Sequence, residues 1–301
     1  MRRTIGYVLL ALGVALAVIA PLVRFYIYPQ LAKTPINQYA ETIAPGTGTI
    51  FDPEHLIERQ NVDLVAHRRV RGDVVASTDK VGVWDESVVL SDSDGNMVNT
   101  TTDRVAWDRK TAEAVNCCGE AVDGTPTKHK GLSYKFPFNS KKTTYQFFDT
   151  TAKAAYPMAY KSQEKIKGVT VYKYEQRVEP VQIGVVEVPG TLVGSTEATF
   201  TAPRFYDNTR TVWVEPRTGV IVKGSEVQHQ VLRDAAGTDK VTLIAVTLTF
   251  DDHTQTQQAN LAKDGIKQIR IVSLFGPIAA LVLGLILIAV GLGLVRRPDT
   301  T

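Results

Sequence analysis

The sequence predicts an α+β chain with a mostly antiparallel β body, an extended sheet or a partly closed barrel, between N- and C-terminal transmembrane helices. Three observations carry this expectation. Ile5 to Val23 and Ile271 to Val295 contain no charged residue. At about 1.5 Å of rise per residue, each is long enough to cross a hydrocarbon core of about 30 Å as a helix. Between them, apolar residues recur mainly at every second position, in runs broken by Gly, Pro, Asp and Asn. That is the pattern of strands and turns.

The first element, residues 1–24, starts with Arg2 and Arg3 before its apolar run, as a secretory signal does. The run exceeds the usual apolar segment of about 7–15 residues. Its one small-residue cleavage pattern, Val18-Ile19-Ala20, is followed by Pro21, which lacks the N–H and flexibility of a processing site. An uncleaved signal anchor is therefore expected. Two spans put both termini on one side, and Arg2 and Arg3 lean that side to the cytoplasm. Around the second span, Arg296 and Arg297 are balanced by Lys263, Lys267 and Arg270. The expected arrangement is a two-pass plasma-membrane protein with both termini cytoplasmic and residues 25–253 as an extracytoplasmic domain. Phe25, Tyr26 and Tyr28 suit an interfacial aromatic belt. The small residues four apart, Ala11/Ala15, Ala280/Gly284 and Ala289/Gly293, are read as ordinary span composition.

The formal charge is +3. The arginines flanking the spans account for the excess, and the middle is nearly neutral. Nucleic acid is therefore not an expected partner.

After the first span, Pro29 to Tyr39 is expected to be helical in part, broken at Pro35, and Thr42 to Gly48 to form a mobile linker with a Pro45-Gly46 turn. Strands are expected at 62–71, 73–83, 87–90, 97–107, 143–148, 169–178, 181–188, 198–206, 209–214, 220–232 and 240–250. In the last, Ile244, Val246, Leu248 and Phe250 share one face. Glu215-Pro216-Arg217-Thr218-Gly219 should turn one hairpin, since proline presets φ and glycine supplies the left-handed residue. Asp108 to Ala112 is a similar string, read as convergent turn chemistry. A juxtamembrane helix is expected over 254–270, capped by Asp251 and Asp252, then the span at 271–295, bent near Gly276-Pro277, and a cytoplasmic tail at 296–301.

Cys117-Cys118 is the most specific local feature. Neighbouring Cα atoms lie 3.8 Å apart, below the usual disulfide range of about 4.4–6.8 Å. In an oxidising space, a vicinal disulfide stiffening the turn at Gly119 is the first expectation, with a reduced pair or a redox role as alternatives. A second feature is the mixture of lysines and aromatics between Lys128 and Tyr174. Lys130, Tyr134, Lys135, Phe136, Phe138, Lys141, Lys142 and Tyr145 are candidate ligand-binding residues, rings as apolar walls and ammonium groups at the rim for an anionic amphiphile. The competing reading is ordinary β architecture, aromatics inside and lysines outside. Asp92, Asp94 and Asn96 resemble a calcium loop, but Gly95 is out of place for one and a hairpin turn is simpler. The five histidines have no metal-ligand spacing. No nucleophile elbow, P-loop or dinucleotide fingerprint occurs. No catalytic residue, metal or cofactor is expected.

Asn116-Cys117-Cys118-Gly119, Lys130-Gly131-Leu132-Ser133-Tyr134-Lys135-Phe136-Pro137-Phe138, Gly168-Val169-Thr170-Val171-Tyr172 and Glu215-Pro216-Arg217-Thr218-Gly219-Val220 together resemble the porin PorA family of actinobacterial membrane proteins, over nearly the whole chain. The resemblance implies a cell-envelope protein facing a mycolate-rich or related wall, and it brings no catalytic residues. The leading expectation is a non-enzymatic envelope protein that binds or conveys lipid, or scaffolds other envelope proteins. Membrane lipids and envelope proteins are its candidate partners, with no oligomeric state specified. The alternatives are an oligomeric channel, whose spans would lack ionisable pore-lining groups, and a redox or hydrolytic enzyme.

Overall fold

The computed structural model describes residues 2–296, so Arg297 and most of the expected tail lie outside the described residues. The chain forms two compact units, a helical one (1–33 with 263–301) and a β one (34–262). Two helices are long and apolar enough to cross a membrane, Arg2–Ile27 and Asp252–Arg296.

Within the helical unit, α1 (Arg2–Leu22) packs against α4 (Gly276–Arg296). Gly6, Gly13 and Ala20 are buried on α1, and Pro277, Gly284 and Gly291 on α4. A Cβ on Gly13 would lie 2.7 Å from the Gly284 carbonyl oxygen, and one on Gly291 would lie 2.8 Å from the Gly6 oxygen. Small residues thus meet at a spacing of seven, the interval that returns to one helix face in left-handed pairs. Of the pairs four apart, Gly284 is buried and Ala280 half-buried, whereas Ala11, Ala15, Ala289 and Gly293 are exposed. A π-helical turn, Ile271–Phe275, precedes Pro277. Pro277 has no N–H for the carbonyl of Ser273, four residues back, and that carbonyl accepts the Arg24 guanidinium instead.

The β unit is a single antiparallel sheet of 12 strands in the order β6-β5-β4-β3-β2-β1-β12-β11-β10-β9-β8-β7. Strands β1 (Tyr39–Asp52) and β12 (Asp239–Thr249) are central neighbours, with Gly46 opposite Leu248 and Ile50 opposite Ile244. The remaining long strands are β2 (Ile57–Gly72), β3 (Val81–Asp92), β4 (Met97–Asp108), β8 (Ala154–Ile166), β9 (Val169–Pro189), β10 (Thr199–Val214) and β11 (Ile221–Arg233). Short β5 (Ala121–Val122), β6 (Thr125–Pro126) and β7 (Tyr145–Asp149) lie at the edges.

The sheet curls until its two edges are stitched together. From β4, the Ala106 carbonyl accepts the Val115 N–H, and Ala114 N–H donates to Gly131 O, both at 2.9 Å. Leu132 then exchanges bonds with β7, donating to Gln146 O at 2.8 Å and accepting from Phe148 N–H at 2.7 Å. The result is a partly closed barrel whose seam is made of two non-strand segments. Trp84, Trp107, Leu132, Phe136, Phe147, Met158, Tyr174 and Val214, drawn from both halves of the sheet, fill it at that level.

Several local expectations are corrected. The linker at 42–48 is the middle of β1. Gly46 is there for close approach, since a Cβ would fall 1.9 Å from the Thr247 oxygen. Ile43 directs its N–H to Thr254 Oγ1 and its carbonyl to the Asp251 N–H. Pro45, two residues on, therefore turns its missing N–H to the same side, just outside the β1–β12 ladder. Tyr39 opens β1 rather than ending a helix, and the helix after the first span stops at α2 (Tyr28–Leu31). Residues 73–80 form a turn, because Asp73 accepts the amides of Val75 and Ala76 at 3.1 and 3.0 Å; strand begins at Val81. The runs at 169–178 and 181–188 are one strand, as are those at 198–206 and 209–214, continuous through register shifts. Strand β8 was not expected, being rich in Ala, Lys, Gln and Glu. Pairing with β9 holds it extended and buries Met158. Helix α3 (Asp252–Arg270) starts where Asp251 Oδ1 accepts the Thr254 N–H at 2.7 Å.

Candidate functional site

The segment singled out for ligand binding, 130–145, is mostly a structural strap. Phe136 is fully buried in the side-chain cluster that fills the barrel at its seam, and its N–H donates to Gly219 O at 3.0 Å. Ser140 and Asn139 continue the contact by donating to Pro216 O and Arg217 O. The strap therefore docks on the β10–β11 turn, which Glu215 stabilises by accepting the Thr218 N–H and hydroxyl at 2.8 and 2.7 Å. Lys135 donates to Thr218 O at 2.7 Å and lies 4.0 Å from the centre of the Phe138 ring. Burial lowers its pKa to about 7, against the pull of Glu215. Tyr145 Oη accepts the Lys141 N–H, and Tyr174 Oη donates to Lys141 O. Lys142 lies over Tyr160 and Tyr172 at 5.7 and 5.2 Å. Lys130 is exposed. These eight residues do not converge on one site.

Only Tyr134 among them lines a cavity of about 170 Å³ inside the curled sheet. Its apolar wall includes Ala44, Ala66, Val88, Leu90, Phe147, Phe148, Val212, Leu248 and Phe250; Thr42, Asn99, Thr101, Thr150, Thr151 and Gln228 supply hydroxyl and amide groups. Arg68, Glu86, Arg210 and Glu226 also line it. Arg68 pairs with Glu86 and lies 5.5 Å from the Tyr134 ring centre. Arg210 Nε contacts Glu226 Oε1 at 2.6 Å, its Nη2 lies 3.3 Å from Asp149 Oδ2, and its Nη1 donates to Gln176 Oε1 at 3.1 Å. Tyr206 Oη donates to Asp149 at 2.9 Å.

Burial lowers the Arg68 pKa. It opposes the charge of Arg210 too, but Glu226 and Asp149 outweigh it and raise that pKa. Burial works to raise the Glu226 pKa, and Arg210 reverses this and holds it down. The charges are matched within the wall, so the cavity is amphipathic without strong preference for an anion.

Beside the strap, His129 is buried with Nε2 2.7 Å from Asp103 Oδ1 and Nδ1 3.5 Å from Glu120 Oε2. Burial lowers its pKa, and the two carboxylates outweigh that and raise it. Tyr134 Oη donates to the other Asp103 oxygen at 2.8 Å, linking this cluster to the cavity wall. The loop at 116–119 sits above. Asn116 Nδ2 donates to His129 O at 2.9 Å, and Arg104 Nε donates to Cys118 O at 3.1 Å. Cys117 and Cys118 are joined in a disulfide. Among the described residues no group of three or more His, Cys, Asp or Glu is placed to hold a metal ion. Asp92 is occupied by its turn, accepting the amides of Asp94 and Asn96 at 3.1 and 2.9 Å.

The strand pattern already contained the cavity charges. Arg68 stands between Ala66 and Val70, and Arg210 two before Val212, each in phase with a buried face. A charge in the inward phase of a strand was the available signal.

The family model described as Porin PorA matches residues 5–293. A protein named Porin PorA from Corynebacterium amycolatum is 25% identical, covering 97% of this chain and 98% of that one. Another of that name, from Corynebacterium resistens, is also 25% identical, covering 97% and 96%. Among solved structures, a protein described as exported with a YmcC-like fold, from Bacteroides fragilis, shares 9% identity at a TM-score of 0.24, covering 73% of this chain and 97% of that one. At that score it carries no argument.

Proposed function

The chain belongs to the Porin PorA family, and from that premise we propose a two-span, non-enzymatic cell-envelope protein whose partly closed barrel binds or conveys envelope lipid. Family and apolar helices together fit a membrane-associated envelope protein. The orientation proposed is both termini cytoplasmic with the β unit outside, for the positive-inside reason.

The observation that carries lipid binding is the cavity itself. An apolar wall of aromatic and aliphatic side chains faces hydroxyl, amide and self-neutralised charged groups, the composition that suits one end of an amphiphile. A void of about 150 Å³ accommodates a small ring in an engineered protein, so this one would take part of a lipid rather than all of it. Full-length protein purified in mild detergent and extracted with organic solvent should release bound lipid. Ala66→Trp, which fills the void, should lose that lipid at unchanged thermal stability. Equal lipid content in both proteins would overturn the reading.

The names of the relatives favour a second reading, a channel. Both spans lack Asp, Glu, Lys, Arg and His in their apolar stretches. Their glycine seam is used within one chain, so a conducting path would have to form between copies. Planar-bilayer recordings with the purified full chain test this; silence across all voltages removes it.

A further inference from the structure

Both chain connections leave the β unit from one rim. At the first, the Thr34 N–H donates to Arg109 O at 3.0 Å, and Arg109 Nε donates to Thr34 O at 2.7 Å, in the turn after β4. At the second, Asp252 opens α3 and pairs with Lys167 in the β8–β9 turn of the same rim. Antiparallel order also places the 73–80 turn, the strap at 139–142 and the β10–β11 turn there.

This rim is rich in exposed basic residues: Arg71, Lys80, Lys141, Lys142, Lys165 and Arg217. Of the acidic residues nearby, Asp79 faces Arg109, Asp252 faces Lys167 and Asp85 pairs with Arg104, while Asp108 and Glu215 cap turns and Glu113 and Glu164 are also exposed. The opposite rim has the reverse balance, with exposed Glu54, Glu58, Asp94, Glu197 and Asp239 against Lys153 and Lys240. The basic rim also carries an apolar tip. Val74 and Val75 are 50% and 97% exposed, on a turn held by Asp73, which in turn binds Arg104 at 2.8 Å. Leu56, Ile57 and Met97 are exposed at the opposite rim, but among carboxylates.

We propose that the basic rim, led by the Val74–Val75 turn, rests on anionic phospholipid headgroups of the bilayer that holds the chain's own two spans. The inference depends on the two-span embedding. Positive side chains gather at a negative lipid surface and two valines enter its interfacial layer, while the acidic rim points away. Both tethers leave the β unit from that same rim.

The test uses the full chain carrying Val75→Cys or, for the opposite rim, Asp94→Cys, labelled with an environment-sensitive fluorophore under non-reducing conditions. Each is reconstituted in nanodiscs of phosphatidylcholine with or without phosphatidylglycerol, and quenching by lipids with a nitroxide near the headgroup is read. At position 75, quenching should be several-fold stronger than at 94 in anionic discs, and should fall in neutral discs and at high salt. Lys80→Glu with Lys141→Glu and Arg217→Glu should bring position 75 down to the level of 94. Equal quenching at both positions, or indifference to anionic lipid, overturns the proposal while leaving the two spans intact. Failure of the chain to insert at all overturns the embedding and the proposal with it.

Discussion

The Phe136 N–H donates to the Gly219 carbonyl at 3.0 Å, and a Cβ on Gly219 would fall 1.9 Å from the Phe136 oxygen. Strap and hairpin turn are thus in backbone contact at the seam of the barrel. Gly219 also has φ of +74°. Gly219→Ala should therefore cost on the order of 3 kcal/mol, from left-handed strain together with the collision. Thermal unfolding of the full chain in detergent would show it as a lowered midpoint.

Arg210 is shared by Glu226 and Asp149. Arg210→Met leaves two carboxylates in the interior and should destabilise by roughly 3–5 kcal/mol at neutral pH. Adding Asp149→Asn should recover part of the loss, and denaturant unfolding of the single and double variants measures it.

His129 has its pKa raised by Asp103 and Glu120 against the effect of burial. A group whose folded pKa is raised contributes stability that is full below its unfolded value, about 6.5, and is lost as pH rises through the folded one. The His129 contribution should decline above about pH 6.5, so the gap in unfolding midpoint between the unsubstituted protein and His129→Gln should narrow as pH rises. An unchanged slope in the variant would show that other groups set the dependence.

Lys135 has the opposite sign. Burial lowers its pKa to about 7, so above that pH the unfolded chain holds a proton that the folded chain has released, and stability rises with pH towards the unfolded value of about 10.4. Lys135→Met should remove this rise and stabilise the protein at neutral pH. Unfolding midpoints of the two proteins between about pH 7 and 10 read the difference.

Gly13 and Gly284 set the approach of the two spans, whereas nothing lies within 4 Å of a Cβ on Gly293. Gly13→Leu should weaken span pairing, because even a Cβ there lies 2.7 Å from both the Gly284 oxygen and Ile288 Cγ1, and Gly293→Leu should leave it unchanged. Cysteine cross-linking between α1 and α4 in detergent compares the two.

Much of this architecture follows from chain-local physics. Two uncharged apolar runs fix the helices, alternation in Lys240 to Phe250 fixes a strand, and Pro216 with Gly219 fixes a turn, because each depends on neighbours in sequence. Where long-range pairing outvotes local preference, the sequence misleads. Pro45 and Gly46 look like a turn, yet two flanking strands hold them extended; Ala154 to Ile166 is absent from the expected strands, yet β9 holds it in the sheet.

The candidate site divides the same way. Composition drew attention to Lys130 through Tyr145 but could not say what those side chains face: Phe136 is buried in the core, Tyr134 lines the cavity, and Lys130, Lys141 and Lys142 are exposed. Sequence alone determined that this is a β body with an apolar helix at each end, since hydrophobic period and length are properties of contiguous residues. Tertiary structure decided where the cavity lies and which charges line it. Arg68, Glu86, Arg210 and Glu226 come from four strands, and only curling and closure of the sheet bring strands so far apart in sequence around one space.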